Sequence, residues 1–351
     1  MLTDDAERRR AEAQLDAAGF ALSLHARVEW GAAFAETPTE LVALRTANGR
    51  YTGAVGVTVF ASRALPGHQI WRVDRVTDAL TPDSAARLLR FVAAEARRRL
   101  RVLRLEMSVL SRNPEFRRAL GRALTAARFE QIPTRRTYDY TLVLDLADEE
   151  SMLSALSRQT RRNVRAVERQ PLAVRPITDP ALAPRMADLM RETLARTGGE
   201  YQPFDWAGAM RVSAAIPDRS RLIGIFRTDV DGPEALLAYS WGMHHGDHAV
   251  YDAGASTRTT DVRIAMAYPL IWDLITWARR SGAAWFDFGG VTRPKPGAED
   301  PLAGISDFKR SFSRQVEEVG EEYVLQVAPV RSAVAHALGT GVRAIRGRRA
   351  R

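Results

Sequence analysis

The stretch Ala284-Trp285-Phe286-Asp287-Phe288-Gly289-Gly290 decides how the rest of the chain is read. Aromatic residues surround one carboxylate and the run stops at paired glycines. This predicts a buried strand that ends in an open turn. Before it, Tyr268-Pro269-Leu270-Ile271-Trp272-Asp273-Leu274-Ile275-Thr276-Trp277-Ala278 has the spacing of an amphipathic helix. After it comes Asp307-Phe308-Lys309-Arg310-Ser311-Phe312, which is both basic and aromatic. Helix, strand, turn and cationic cluster together predict the ligand end of an α/β unit.

Further upstream, strands are expected at 220–227, 235–242 and 248–254, turned by Asp231-Gly232 and His245-Gly246-Asp247. A strand at Leu172–Ile177 and helices at about 181–196 and 205–214 precede them, and a helix covers about 262–280. Downstream, 316–327 is the last strand signal, broken at Gly320. Two helices, a meander of strands, a helix and a strand follow the order of a GNAT-type acyltransferase domain. The first half is a rougher copy. Strands at 41–45 and 51–60 flank Asn48-Gly49, a strong hairpin signal. A strand at 69–73 follows. Thr81-Pro82 and Asn113-Pro114 start helices on either side of a strand at 102–107. Strands at 129–132 and 137–144 close the half. The expected fold class is α+β. It comprises two GNAT-like domains in tandem, 1–147 and 148–328, each a mixed sheet flanked by helices, and then a basic tail, 329–351.

Hydrophobic content of 46% over 351 residues suits folded domains. The chain has no cysteine, which excludes disulfides, thiolate metal sites and cysteine catalysis. Its acidic, polar start is not a signal peptide, and no apolar run is long enough to span a bilayer. A cytoplasmic location is expected. The net charge is +9, nearly all of the basic residues being arginine. Such an excess attracts nucleic acid, anionic lipid or phosphorylated substrates, although an Ala- and Arg-rich composition produces it without any partner. Residues 148–169 read as helix, with Arg158, Arg161, Arg162 and Arg165 on a ridge suited to phosphate or RNA, or simply to water. Arg331, Arg343, Arg346, Arg348, Arg349 and Arg351 make the tail a candidate arm for tRNA or an anionic membrane.

Four segments carry a family resemblance: Arg161-Arg162-Asn163-Val164-Arg165, Tyr251-Asp252-Ala253-Gly254-Ala255-Ser256, Trp285-Phe286-Asp287-Phe288-Gly289-Gly290, and Gly304-Ile305-Ser306-Asp307-Phe308-Lys309-Arg310-Ser311-Phe312. In order and spacing, roughly over 20–327, the chain resembles the FemAB family of peptidoglycan bridge aminoacyltransferases. It is also similar to the wider tandem-GNAT group with BioF2-like acetyltransferase domains. The resemblance implies aminoacyl-tRNA as co-substrate and an amine acceptor such as a peptidoglycan precursor or a small amino compound. No bound cofactor is implied. It places a functional lysine after an aromatic residue, matching Phe308-Lys309, and makes Tyr251 and Ser256 substrate contacts. The family's Gly-Pro-Val-like segment is replaced by Val73-Asp74-Arg75-Val76, and the chain has no helical arm of the kind that holds tRNA in bridge-forming members.

Transfer of an aminoacyl group from an ester to an amine needs aligned reactants, a stabilised oxyanion and a proton acceptor. It needs no covalent nucleophile, and the chain has no Gly-x-Ser-x-Gly elbow. Lys309 is the first candidate, as a flexible cation facing phosphate or developing negative charge. Phe308, Asp252 and Asp287 complete the catalytic set, the two carboxylates being candidates either to accept the amine proton or to cap turns. Tyr268, Arg258 and Arg263 are candidates to hold a phosphorylated or lipid-linked acceptor, with peripheral contact at the inner face of the membrane. His244, His245 and His248 straddle a turn with no carboxylate at a metal-binding spacing, so no metal is expected. The loop 256–265 lacks the glycines that cradle the CoA pyrophosphate. This disfavours the alternative of an acyl-CoA-dependent N-acyltransferase. A non-catalytic nucleic-acid-binding or scaffold protein is the other alternative.

Overall fold

The computed structural model describes residues 1–2, 4–134, 136–291, 303–335 and 337. In chain order the elements are α1 (Asp5–Ala17), α2 (Val28–Ala33), β1 (Thr39–Arg45), β2 (Tyr51–Ala61), β3 (Gln69–Val76), α3 (Pro82–Arg98), β4 (Val102–Leu110), α4 (Pro114–Ala126), β5 (Glu130–Ile132) and β6 (Tyr140–Asp145). They continue with α5 (Glu149–Ala155), α6 (Arg158–Val164), β7 (Leu172–Pro176), α7 (Ala183–Thr197), α8 (Trp206–Ala215), β8 (Ser220–Arg227), β9 (Leu236–His244) and β10 (His248–Ser256). The last are α9 (Ala267–Arg280), β11 (Trp285–Gly290), α10 (Ala303–Arg310), β12 (Gln315–Glu318) and β13 (Gly320–Gln326).

Local chemistry sets many of these boundaries. Thr81 accepts the Ser84 N–H and Pro82 follows, so α3 starts there. Asn113 accepts the N–H groups of Glu115 and Phe116 ahead of α4, with Pro114 in its first turn. The helix expected across 148–169 is instead two short helices and a 3-10 turn. Leu156 is extended (ψ 150), and Ser157 restarts the helix by accepting the Thr160 N–H.

The chain divides into two compact units. One comprises Met1–Gly31, Ala35–Asp139 and the chain from Glu318 onward; the other comprises Ala32–Phe34 and Tyr140–Glu317. Among the described residues the first sheet has the order β1-β2-β3-β4-β13-β5, and the second β12-β6-β11-β10-β9-β8-β7. Both are mixed sheets with helices packed on them, an α+β architecture. Two strands depart from the sequence-based division at 147/148. β6, expected to close the first half, pairs antiparallel with β11 in the second sheet. β13, expected to close the second half, pairs with β4 and β5 in the first. The chain changes sheets at Val319, and Gly320 is required just after it: a Cβ there would lie 1.9 Å from the Tyr138 carbonyl oxygen.

In the first unit Leu88, Leu89, Val92 and Ala96 of α3 pack with Trp71, Val73, Leu105 and Met107. In the second, Leu270, Ile271, Leu274 and Ile275 of α9 pack with Ile223, Ile225, Ala238 and Phe286. Each such aliphatic side chain contributes about 1.5–3 kcal/mol on full burial, so α9 is firmly seated. No described helix is long and apolar enough to cross a membrane. Of the expected basic tail, 329–335 is helical, whereas Arg343, Arg346, Arg348, Arg349 and Arg351 lie outside the described residues.

Candidate active site

The second sheet opens at the parallel pair β10–β11. β10 and β11 are paired only from His248–Val250 to Trp285–Asp287. A register shift between Tyr251 and Ala253 then turns β10 away along β9. Beyond this notch lies a cavity of about 850 Å³. Its walls come from α7 (Met190, Thr193, Leu194), β9 (Ala238, Tyr239, Ser240), β10 (251–256), the loop into α9, and Phe308 and Lys309 of α10.

The notch is shaped by Asp287 and Gly289. Asp287 is fully buried, and its Oδ1 accepts the Gly289 N–H at 2.7 Å and lies 2.5 Å from the Thr141 hydroxyl. These bonds hold Gly289 at φ +75°, a conformation that favours glycine. A Cβ on Gly289 would sit 3.3 Å from the Tyr251 carbonyl oxygen and 3.6 Å from Lys309 Nζ.

Lys309 is 6% exposed, and its Nζ donates to the Gly290 carbonyl oxygen at 2.8 Å. Burial lowers its pKa to about 8, with the Asp287 charge pulling the other way. The ammonium is therefore mostly protonated near neutral pH but gives up its proton readily. An aromatic cluster fixes α10 in place: Tyr268 meets Phe308 edge-on at 5.0 Å, and Phe312 lies 5.4 Å from Tyr268 and 5.8 Å from Phe288. Phe308 thus lines the cavity and also positions Lys309.

Of the residues singled out from sequence, Tyr251, Asp252, Ser256, Arg258, Arg263, Tyr268, Phe308 and Lys309 line this one cavity. Asp252 lies at the β10 irregularity and is exposed, as are Arg258 and Arg263. Arg196 of α7 joins them, so the charged lining is Asp252 against Arg196, Arg258, Arg263 and Lys309. Glu192 holds the loop, accepting the Thr257 hydroxyl at 3.0 Å and the Arg258 N–H at 2.8 Å. Asp287 does not line the cavity and acts on it through Gly289. The α6 arginines are elsewhere. Arg158, Arg162 and Arg165 are exposed, while Arg161 donates to the carbonyls of Ser154 and Leu156 and so closes the end of α5. The buried histidines sit at the turn end of the β9–β10 hairpin, where His248 stacks on Trp285 at 4.3 Å.

Arg196, Tyr239 and Gly289 were not singled out as site residues from sequence. The paired glycines at the end of a strand were a usable signal for Gly289. An arginine on an ordinary amphipathic helix and a tyrosine in a buried strand carry none. The first unit has a groove of about 670 Å³ between the starts of α3 and α4. Its ionisable walls, Asp78, Glu115, Arg118 and Arg122, are all exposed, unlike Lys309.

Residues 154–310 match the acetyltransferase (GNAT) domain family. No curated protein matches the chain in sequence. Among solved structures the chain is similar to FemX, with a TM-score of 0.70 and 15% identity over 95% of this chain and 99% of that one. It is similar to L-PGS from Bacillus licheniformis, with a TM-score of 0.53 and 11% identity over 97% and 99% of the two chains. A third likeness is to the C-terminal domain of a putative lysylphosphatidylglycerol synthetase from Agrobacterium fabrum, with a TM-score of 0.50 and 12% identity over 96% and 97%. The whole chain thus has a tandem GNAT-like fold, and the domain match at 154–310 points to acyl transfer as the general chemistry.

Proposed function

We propose that the chain is an aminoacyltransferase, taking an aminoacyl group from charged tRNA and forming an amide on an amine acceptor. The observation that carries this reading is the setting of Lys309: a buried ammonium at the sheet notch, held by one neutral carbonyl, in a cavity rimmed by exposed arginines. A donor with a ribose ester flanked by phosphate suits that arrangement. The acceptor amine attacks the ester carbonyl, the C–N bond forms, and the tetrahedral oxyanion collapses with loss of the ribose oxygen. Asp252, directly or through water, takes the amine proton. Lys309 neutralises the developing charge and supplies a proton to the leaving oxygen. No enzyme-bound acyl intermediate is required. The likeness to a domain of a putative lysylphosphatidylglycerol synthetase favours an acceptor that is phosphorylated or lipid-linked, and the reading places the reaction in the cytoplasm or at the inner face of the membrane. Arg158, Arg162 and Arg165 are the proposed contacts to the tRNA backbone.

An acyl-CoA donor is the second reading, favoured by the GNAT match at 154–310. The start of α9 speaks against it. The loop has no glycine, the Tyr268 N–H is taken by the Ala265 carbonyl at 3.1 Å, and Pro269 has no N–H to offer a pyrophosphate. The deciding experiment offers the purified chain labelled aminoacyl-tRNA and, separately, acetyl-CoA, each with an amine acceptor. Consumption of charged tRNA that is lost in Lys309→Ala supports the proposal. Transfer from acetyl-CoA with charged tRNA untouched overturns it.

A further inference from the structure

The short helix over 329–335 turns its polar side to the protein and its apolar side to solvent. Polar contacts fasten it to the turn between α3 and β4. The Ser332 hydroxyl donates to the Leu103 carbonyl at 2.9 Å, and the Arg331 guanidinium donates to the Leu100 carbonyl. The N–H groups of Val327 and Ala328 reach the same Leu103 oxygen at 3.0 and 2.9 Å. Val330, Ala333 and Val334, at i, i+3 and i+4, share the opposite face and are all exposed. Val330 is 79% exposed and Val334 47%. A surface helix ordinarily places such a stripe against the core. Leu100, in the turn that holds this helix, is 78% exposed. All of these residues belong to the first unit.

The charge around these side chains has one sign. Arg97, Arg98 and Arg101 flank Leu100 and are exposed; Arg98 pairs with Glu95 across one helical turn. Neither 96–105 nor 327–351 contains an acidic residue, and five arginines follow after residue 337. A second copy of the chain seated here would bring like charges together. The chain's own arginine-rich end would meet arginines. RNA suits the charge, but Leu100, Val330, Ala333 and Val334 offer no ring on which a base could stack. An anionic bilayer matches both features: its headgroups attract the arginines, and its headgroup–acyl boundary takes up the apolar side chains.

We propose that this end of the first unit docks the chain on an anionic lipid surface: Leu100, Val330 and Val334 enter the headgroup–acyl boundary, and Arg97, Arg98 and Arg101 meet the lipid phosphates. The assignment holds whichever donor the second unit uses. The chain has no cysteine, so Val334→Cys carrying an environment-sensitive fluorophore reports on that one position in the full chain. Vesicles of phosphatidylcholine alone and of equimolar phosphatidylcholine and phosphatidylglycerol are titrated into it. The anionic vesicles should bind about tenfold or more tightly than the neutral ones and shift the emission to the blue. In co-sedimentation with the anionic vesicles, the triple variant Leu100→Ser, Val330→Ser, Val334→Ser should bind about tenfold more weakly than wild type, at an unchanged Tm. Arg97→Gln with Arg101→Gln should also weaken binding and reduce its salt dependence. Anionic vesicles that leave the emission unchanged overturn the assignment. So does a triple variant that sediments like wild type, since the arginines alone then hold the chain. A blue shift produced by uncharged tRNA or by self-association, and not by vesicles, gives the face to that occupant and overturns it too. If the triple variant does not fold, the labelled single variant decides.

Discussion

Each unit has a parallel strand pair inside its mixed sheet, and the two pairs are finished in opposite ways. In the first, β3 and β4 run together from Gln69 and Val102 to Val76 and Val109. Arg72 sits opposite Glu106 and bonds it at 2.7 Å; Arg104 joins at 2.6 Å and Arg136 at 3.6 Å. In the second, β10 and β11 part after three paired residues, and the cation at the parting is Lys309, tied to the Gly290 carbonyl. Opposite charges laid across the first junction serve stability. At the second, burial of an ammonium that is hydrogen-bonded to a neutral carbonyl costs stability, offset only in part by the Asp287 charge, and leaves a charge for a ligand.

Replacing that ammonium should have the largest effect. Lys309→Met is expected to lower transfer by about a hundredfold or more and to raise the Tm by a few degrees, read by steady-state kinetics and a thermal melt on the same sample. The pH dependence has a defined sign. The folded pKa is about 8 against an ordinary 10.5. The unfolded chain therefore holds the Lys309 proton through a window in which the folded chain has released it, and stability rises with pH from about 8 towards 10.5. Activity that depends on the ammonium falls through the same window. A rate that instead climbs through pH 8 would make Lys309 a neutral base.

Closing the notch from below comes next. Gly289→Ala adds a Cβ at φ +75°, 3.3 Å from the Tyr251 carbonyl oxygen. The left-handed conformation costs a non-glycine residue about 1–2 kcal/mol, and relief would move Tyr251 or Lys309. A Tm loss of that size and about a tenfold lower kcat are expected. A kcat equal to wild type would detach Gly289 from the placement of Lys309.

Local chemistry made much of this legible beforehand. Asn48-Gly49, Thr81-Pro82, Asn113-Pro114 and the pair Gly289-Gly290 announce turns, caps and a strand end through their own φ preferences and side-chain bonds. Ser157 announced a helix start as well, but helical periodicity on both sides masked it. Sheet membership was not legible. β6 and β13 read as strands from their alternation, yet which sheet each joins depends on partners far away in sequence. The cavity lining followed from residues clustered in sequence at 251–268 and 308–309. The inward face of Asp287 depends on tertiary neighbours, and no spacing rule reports it.

In the first unit the expected effect is on stability alone. Glu106→Gln leaves Arg72, Arg104 and Arg136 without their shared carboxylate and should cost about 1–3 kcal/mol, with transfer unchanged. Burial pushes the Glu106 pKa up, but Arg72 and Arg104 outweigh it and hold the carboxyl below its usual range. Its contribution is therefore present above the ordinary carboxylate pKa and lost as pH falls through the lower folded value. Wild type and Glu106→Gln melts should converge in acid. A loss of transfer at neutral pH with an unchanged Tm would assign the closed junction a role in the reaction.

The smallest expected effect separates two uses of arginine within one short helix. Arg161 is committed to the Ser154 and Leu156 carbonyls, so Arg161→Ala should lower the Tm. Arg158, Arg162 and Arg165 are exposed, and their alanine variants should melt within about 0.5 kcal/mol of wild type. If these three hold the tRNA backbone, each substitution should reduce the salt dependence of tRNA binding, the slope of log K against log[salt] falling by roughly one per arginine. Filter binding of uncharged tRNA at a series of salt concentrations reads that slope directly. An unchanged slope in the triple variant would leave the ridge as a solvated helix face and move the search for the tRNA contact to the arginines at the cavity rim.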